Sequence, residues 1–218
     1  MKVELNIPES LNDITIEQYQ TFLLIEEPTP DDLLSVFLNI SKADVNKIKD
    51  SEVDRLVIHI NSLFEVEQKH KLRFNFNGTE YGFIPDLDAI TYGENKDITS
   101  YINDWQQMHK AMSVLYRPIT NSQKGKYLIQ EYEGTRFTAD KFKDCPLDIA
   151  FGAMVFFYNL TNELLKAIPN FIQKEAEKEL MRGQISAENG EAIKNSIHSL
   201  RATLEDLERL QSYHYISA

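Results

Sequence analysis

One cysteine, Cys145, stands among 218 residues. An intrachain disulfide is therefore excluded, and the chain suits a reducing compartment. Glycine and proline are also scarce, at 8 and 7, so breaks should be few and helix content high. The glycines are isolated. None falls in a GxxxxGK[ST] or GxGxxG pattern, which removes the usual phosphate-cradling loops. No GxSxG elbow presents a serine nucleophile. The longest apolar run is Ile149–Tyr158, bounded by Asp148 and Asn159. It is far short of the roughly 20 residues a bilayer span needs, so no membrane partner is expected. The opening MKVELNIPES has no apolar core of a secretory signal, and none is expected.

Positive charge is in short supply as well. Lys and Arg number 23 against 34 Asp and Glu, a net charge of −11. The deficit is concentrated early: residues 1–60 hold 5 cations against 12 carboxylates, a balance of −7. Nucleic-acid binding rests on cations neutralising phosphates, so no nucleic-acid partner is expected. The acidic N-terminal segment would suit a basic protein surface; the plainer reading is a solvated face that aids solubility.

What is present is a foldable composition. Apolar residues make up 42%, with 12 Phe and 10 Tyr, enough to bury a core without metal or disulfide. Thr15–Gln18 has the form of a capping box, followed by a helix to about Ile25 with Ile16, Tyr19, Phe22 and Leu23 on one face. Thr29-Pro30-Asp31-Asp32 is a second helix start: a capping hydroxyl, proline at the first position, then carboxylates against the dipole. A short helix is expected over 43–49, and a longer one capped by Ser51, so the first 67 residues read as a helical unit.

The period then changes to two. Leu72, Phe74 and Phe76 alternate with polar residues up to Asn77-Gly78, the preferred two-residue hairpin turn. Residues 79–84 return, and Lys126–Tyr132 is the candidate for a third strand. Ile98, Tyr101, Ile102, Trp105, Met108, His109, Met112 and Leu115 recur at helical intervals, predicting one helix over 97–116 that Pro118 ends. Residues 120–126 read as a polar loop. A nearly all-apolar helix should start after Cys145-Pro146 and break or kink at Pro169. In the last helix Ile193, Ile197, Leu200, Leu204 and Leu207 form a near-heptad seam. It fits a C-terminal helical hairpin or a second chain.

Candidate chemistry is thin. Asp86, Asp88, Glu94 and Asp97 lack the ligand alternation and central glycine of a calcium loop, and helix capping explains them. His109 follows Trp105 by four residues; a catalytic imidazole is conceivable, a core histidine more economical. Cys145 precedes a helix start, where a thiol pKa can fall, but it has no assignable partner. Lys69, His70, Lys71 and Arg73 make a small basic patch beside Phe74 and Phe76. Arg117 should lock helix to loop through a carboxylate, with Asp86 or Asp88 as the expected partner.

FIPDLDAITYGENKDI, INDWQQMHKAMSVLYRPI, KYLIQEYEG and FKDCPLDIAFGAMVFFYNLTNELL together resemble structural-region proteins of tailed bacteriophages. These are the marine and Bacteroidetes phages, including crAss-like ones. The likeness spans residues 70–168 and implies a virion-assembly role, tail assembly chaperone-like or as a minor virion component. It carries no catalytic residues.

The expected fold is therefore mainly α with a small β-hairpin or three-stranded element (α+β), a multi-helix bundle with a C-terminal helical hairpin. Its expected parts are 1–67, 68–169 and 170–218, with 1–169 compact. The expected function is non-enzymatic phage morphogenesis in the host cytoplasm or virion, with no cofactor and no metal. Other phage structural proteins are the expected partners, with self-association through the C-terminal helix. The alternatives are a phage regulatory or host-targeting adaptor, and an enzyme with a site near Asp86 and His109.

Overall fold

The computed structural model describes residues 5–181. The chain divides into two units, residues 1–155 and 156–218. The second begins inside the last described helix. The seam residues Ile193, Ile197, Leu200, Leu204 and Leu207, and the C-terminal hairpin, lie outside the described residues.

The fold is mainly helical with one antiparallel sheet. Seven α-helices are described: α1 (Ile16–Leu23), α2 (Pro30–Phe37), α3 (Lys42–Val45), α4 (Asp50–Phe64), α5 (Tyr92–Tyr101), α6 (Met108–Leu115) and α7 (Leu147–Met181). Four strands, β1 (Arg73–Phe76), β2 (Thr79–Phe83), β3 (Tyr116–Gln123) and β4 (Lys126–Ile129), form a meander in the order β1-β2-β3-β4. This is one strand more than the largest sheet expected from sequence.

Local chemistry sets the helix starts. Thr15 accepts from the Gln18 N–H at 3.1 Å while Gln18 Oε1 accepts from the Thr15 N–H at 2.9 Å. Thr29 and Asp32 repeat the exchange at α2, each box satisfying donors a helix end leaves open. Ser51 is not a cap: α4 starts one residue earlier, after Lys49, with no side-chain cap. Leu23 is not on the buried face of α1 either, being largely exposed with Leu24.

The single helix expected over 97–116 is three pieces. Thr91 and Glu94 start α5 five residues earlier, at Tyr92, with a capping box. Asp104 then accepts from the Gln106 N–H and the Gln107 side chain, both at 2.9 Å, and a 3-10 turn over Trp105–Gln107 separates α5 from α6. Such local side-chain bonds compete with helix continuation. α6 ends at Leu115 because Pro118 pushes Arg117 toward extended backbone, and the chain leaves as β3. Pro118 pairs opposite Tyr81, and its carbonyl accepts from the Gln130 N–H at 2.9 Å.

The loop expected over 120–126 is the second hairpin, with Lys124 and Gly125 at φ 49 and 81. Asn77-Gly78 turns the same way at φ 49 and 75. Asn-Gly was recognisable; Lys-Gly is not a strong turn signal. α7 stays helical through Pro169, so the expected break there is absent.

The core of unit 1 is built on α6, where only Lys110 is not buried. Tyr116, Phe142 and the α7 residues Leu147, Ile149, Ala150 and Ala153 are buried as well. Tyr19 lies 4.9 Å from Trp105 and 5.4 Å from Phe151, centroid to centroid. Those contacts tie α1 to the turn that precedes α6 and to α7. A second ring cluster, Phe74, Tyr81, Phe83, Tyr116 and Phe142, packs on the sheet.

Candidate functional site

The candidate residues Glu94, Arg117 and His109 fall into two separate networks. The first joins α5 to β3. Thr91 caps α5, and one Glu94 oxygen accepts from the Thr91 N–H and hydroxyl, both at 2.7 Å. The other Glu94 oxygen accepts from Arg117. This pair is deeply enclosed, with the Glu94 side chain 6% exposed and that of Arg117 11%. Asp86 and Asp88, the expected partners of Arg117, instead form an exposed turn, the Asp86 carboxylate accepting from the Asp88 N–H at 3.0 Å. The signal for the true partner was in the sequence: Thr91-x-x-Glu94 is a capping box, and a box glutamate has one oxygen left over.

Burial pushes the Glu94 pKa up, but the Thr91 hydrogen bonds and the Arg117 charge outweigh it, and the net shift is downward. Glu94 is ionised at neutral pH. The Arg117 guanidinium also lies 5.7 Å from the Tyr132 ring centre, and the Tyr132 hydroxyl donates to Asp97. Among the described residues Arg117 Nε finds no hydrogen-bond partner. Beside this network a cavity of about 270 Å³ opens where the chain leaves the sheet after β4. Tyr81, Tyr132, Phe137 and Phe142 supply aromatic lining, with Arg117, Lys141, Glu131 and Glu133 among the charged residues.

The second network holds His109. Its Nδ1 lies 3.0 Å from Gln20 Nε2. An amide nitrogen can only donate, so Nδ1 is the acceptor and Nε2 carries the proton. Gln20 Nε2 also donates to the Trp105 carbonyl at 2.6 Å, and Gln106 Nε2 donates to the Gln20 backbone carbonyl at 2.9 Å. Burial, then Lys143 and Lys110, lower the His109 pKa. A neutral imidazole results, pinning α1 to α6. Gln20 carries no sequence signal for this role, because its partner lies 89 positions away.

Asp86, Asp88, Glu94 and His109 therefore do not make a common site. Two are exposed in a turn, and the other two are buried with partners of their own. Among the described residues no three His, Cys, Asp or Glu side chains gather as a metal site. Cys145 is fully buried, and burial, then Asp148, raise its pKa. The helix start does not activate it. Three of the four residues of the basic patch make local contacts: Lys71 pairs with Asp148 at 2.5 Å. Arg73 pairs with Glu80 at 3.6 Å and lies 4.5 Å over the Tyr127 ring. His70 packs edge-on against Phe83 at 4.4 Å.

No described helix is long and apolar enough to cross a membrane. No family model, curated protein or solved structure matches the chain.

Proposed function

We propose that the chain is a non-enzymatic morphogenesis protein of a tailed phage, tail assembly chaperone-like or a minor virion component, acting by protein–protein contact in the host cytoplasm or particle. One observation supports this most. The groups best suited to acid–base or nucleophilic work, His109, Cys145 and Glu94, are buried, and their surroundings hold them in resting forms. A general base works best when its pKa is poised near the operating pH and its lone pair can reach a substrate. The surface, by contrast, displays aromatic side chains: Tyr92 is 84% and Phe137 82% exposed. Exposed aromatics of this kind anchor interfaces. The likeness of residues 70–168 to phage structural-region proteins supplies the biological setting.

The test is capture of purified phage structural proteins by the full chain, with light scattering for self-association. A Leu200→Asp, Leu204→Asp double variant probes the C-terminal seam. Binding to at least one structural protein, and a shift to smaller mass in the variant, are expected. A monomer that captures no structural protein would refute the proposal.

A further inference from the structure

From Val3 to Ser41 the chain has no Lys, Arg or His and eight carboxylates. Several have structural duties: Asp13 closes the box at Ser10, and Asp32 caps Thr29 and meets Lys42 at 2.6 Å. Glu17, Glu26 and Glu27 have none of these. All three are exposed, and among the described residues no ion pair engages them. Between them stand two leucines at the end of α1, Leu23 at 44% exposure and Leu24 at 68%. Glu17, Thr21 and Leu24 are spaced i, i+4, i+7 and share one exposed helix face.

The fold does not need these leucines. α1 is held by its other face, through Ile16, Tyr19 and Gln20. The turn that follows places Glu27 at φ 53, in the left-handed region, and runs into Pro28 and Pro30, whose rings fix φ. The leucines and their flanking carboxylates are thus presented on backbone with little freedom to lose on binding.

We propose that this end of α1 docks a basic segment with an apolar stripe from a partner protein. The stripe covers Leu23 and Leu24, and its Lys or Arg residues face Glu17, Glu26 and Glu27. Charge complementarity selects the partner: a surface with three carboxylates that no ion pair engages among the described residues, on a stretch of chain without a cation, repels an acidic segment and steers a basic one. The inference rests on the reading that the chain acts by protein contact, and deepens it by naming the partner's chemistry.

The test uses the full chain and three labelled 18-residue helical peptides in fluorescence anisotropy at near-physiological salt. One carries a Leu stripe and a Lys face. The second replaces Lys by Glu, and the third replaces Leu by Gln. The Leu/Lys peptide is expected to bind, and the other two to bind at least about tenfold more weakly. Leu24→Ser, and separately Glu26→Lys with Glu27→Lys, should each weaken the Leu/Lys peptide about tenfold or more. Ile58→Ser on α4, a site of similar exposure outside the cation-free stretch, should change it less than about twofold. Each variant's fold is checked by Trp105 emission. No binding of the Leu/Lys peptide, binding indifferent to both α1 variants, or equal weakening by Ile58→Ser would overturn the proposal. Peptide binding without capture of any phage structural protein would spare this surface and sink the phage reading. Capture that survives both α1 variants, with no peptide binding, would do the reverse.

Discussion

Replacing Glu94 by Ala and Arg117 by Met, singly and together, probes the joint between α5 and the sheet. Removing one partner of a buried ion pair costs roughly 3–5 kcal/mol, because the other charge is left unpaired. The two ends are not equivalent here. Glu94 also closes the α5 capping box, a contribution of about 1 kcal/mol, so Glu94→Ala belongs at the upper end, near ~4–5 kcal/mol. Arg117→Met leaves Glu94 with two donors from Thr91. It also removes the unsatisfied Nε, which relieves about 1–3 kcal/mol. Its cost should therefore be nearer ~2 kcal/mol. The double variant should fall short of the sum by about 2 kcal/mol, the coupling expected of contacting residues.

Urea unfolding followed by Trp105 emission reads all four proteins. The pH dependence has a defined sign. The folded pKa of Glu94 lies below its ordinary 4.5, so the pair's contribution is present above pH 4.5 and is lost as pH falls through the folded value. The gap between wild type and Arg117→Met should close over that range. Additive single costs, or a Glu94→Ala cost below about 0.5 kcal/mol, would refute the reasoning.

Four further outcomes follow from the packing. At Gly152 a Cβ would stand 2.5 Å from the Lys69 carbonyl oxygen. The clash should outweigh the helix propensity alanine brings, about 1 kcal/mol, and Gly152→Ala should lower the urea midpoint. At Gly82 a Cβ would meet the Tyr127 ring at 2.4 Å, and that ring is held by its hydroxyl donating to the Phe83 carbonyl at 2.8 Å. Gly82→Ala should cost about 1–3 kcal/mol, and an unchanged midpoint would contradict the packing. Burial lowers the pKa of both His109 and His70 below the ordinary 6.5. The unfolded chain then binds more protons, and stability should drop as pH falls below 6.5. His109→Gln should flatten that slope in urea titrations at pH 7.5 and 5.5, and an unchanged slope would count against the assignment. Cys145 should resist a thiol-reactive dye in the native protein and react once in urea; fast native labelling would show an open thiol.

The sequence was informative where the physics is local. Thr15–Gln18, Thr29–Asp32 and Asn77-Gly78 each carry their own hydrogen-bond or φ requirement within four residues, and each sits where expected. The alternation of Leu72, Phe74 and Phe76 marked the first hairpin for the same reason. Two misreadings came from reading periodicity without its interruptions. Ile98 through Leu115 keeps helical spacing, yet Asp104 diverts the chain into a 3-10 turn. Residues 120–126 are polar because every one of them is exposed at the tip of the hairpin, and the sheet pairing supplies what side chains do not. The candidate site was the least legible part. Gln20 with His109, and Tyr132 with Asp97 and Arg117, are contacts between elements separated by tens of residues. Only tertiary packing creates them.

The central claim is that this chain works through its surface on other proteins of an assembling phage. Cross-linking mass spectrometry on infected cells during assembly tests that claim where it has to hold. The account predicts cross-links to at least one phage structural protein, with the partner's linked segment basic wherever the contact lies near α1. Cross-links confined to host proteins, or none above those of a non-binding control, would contradict it.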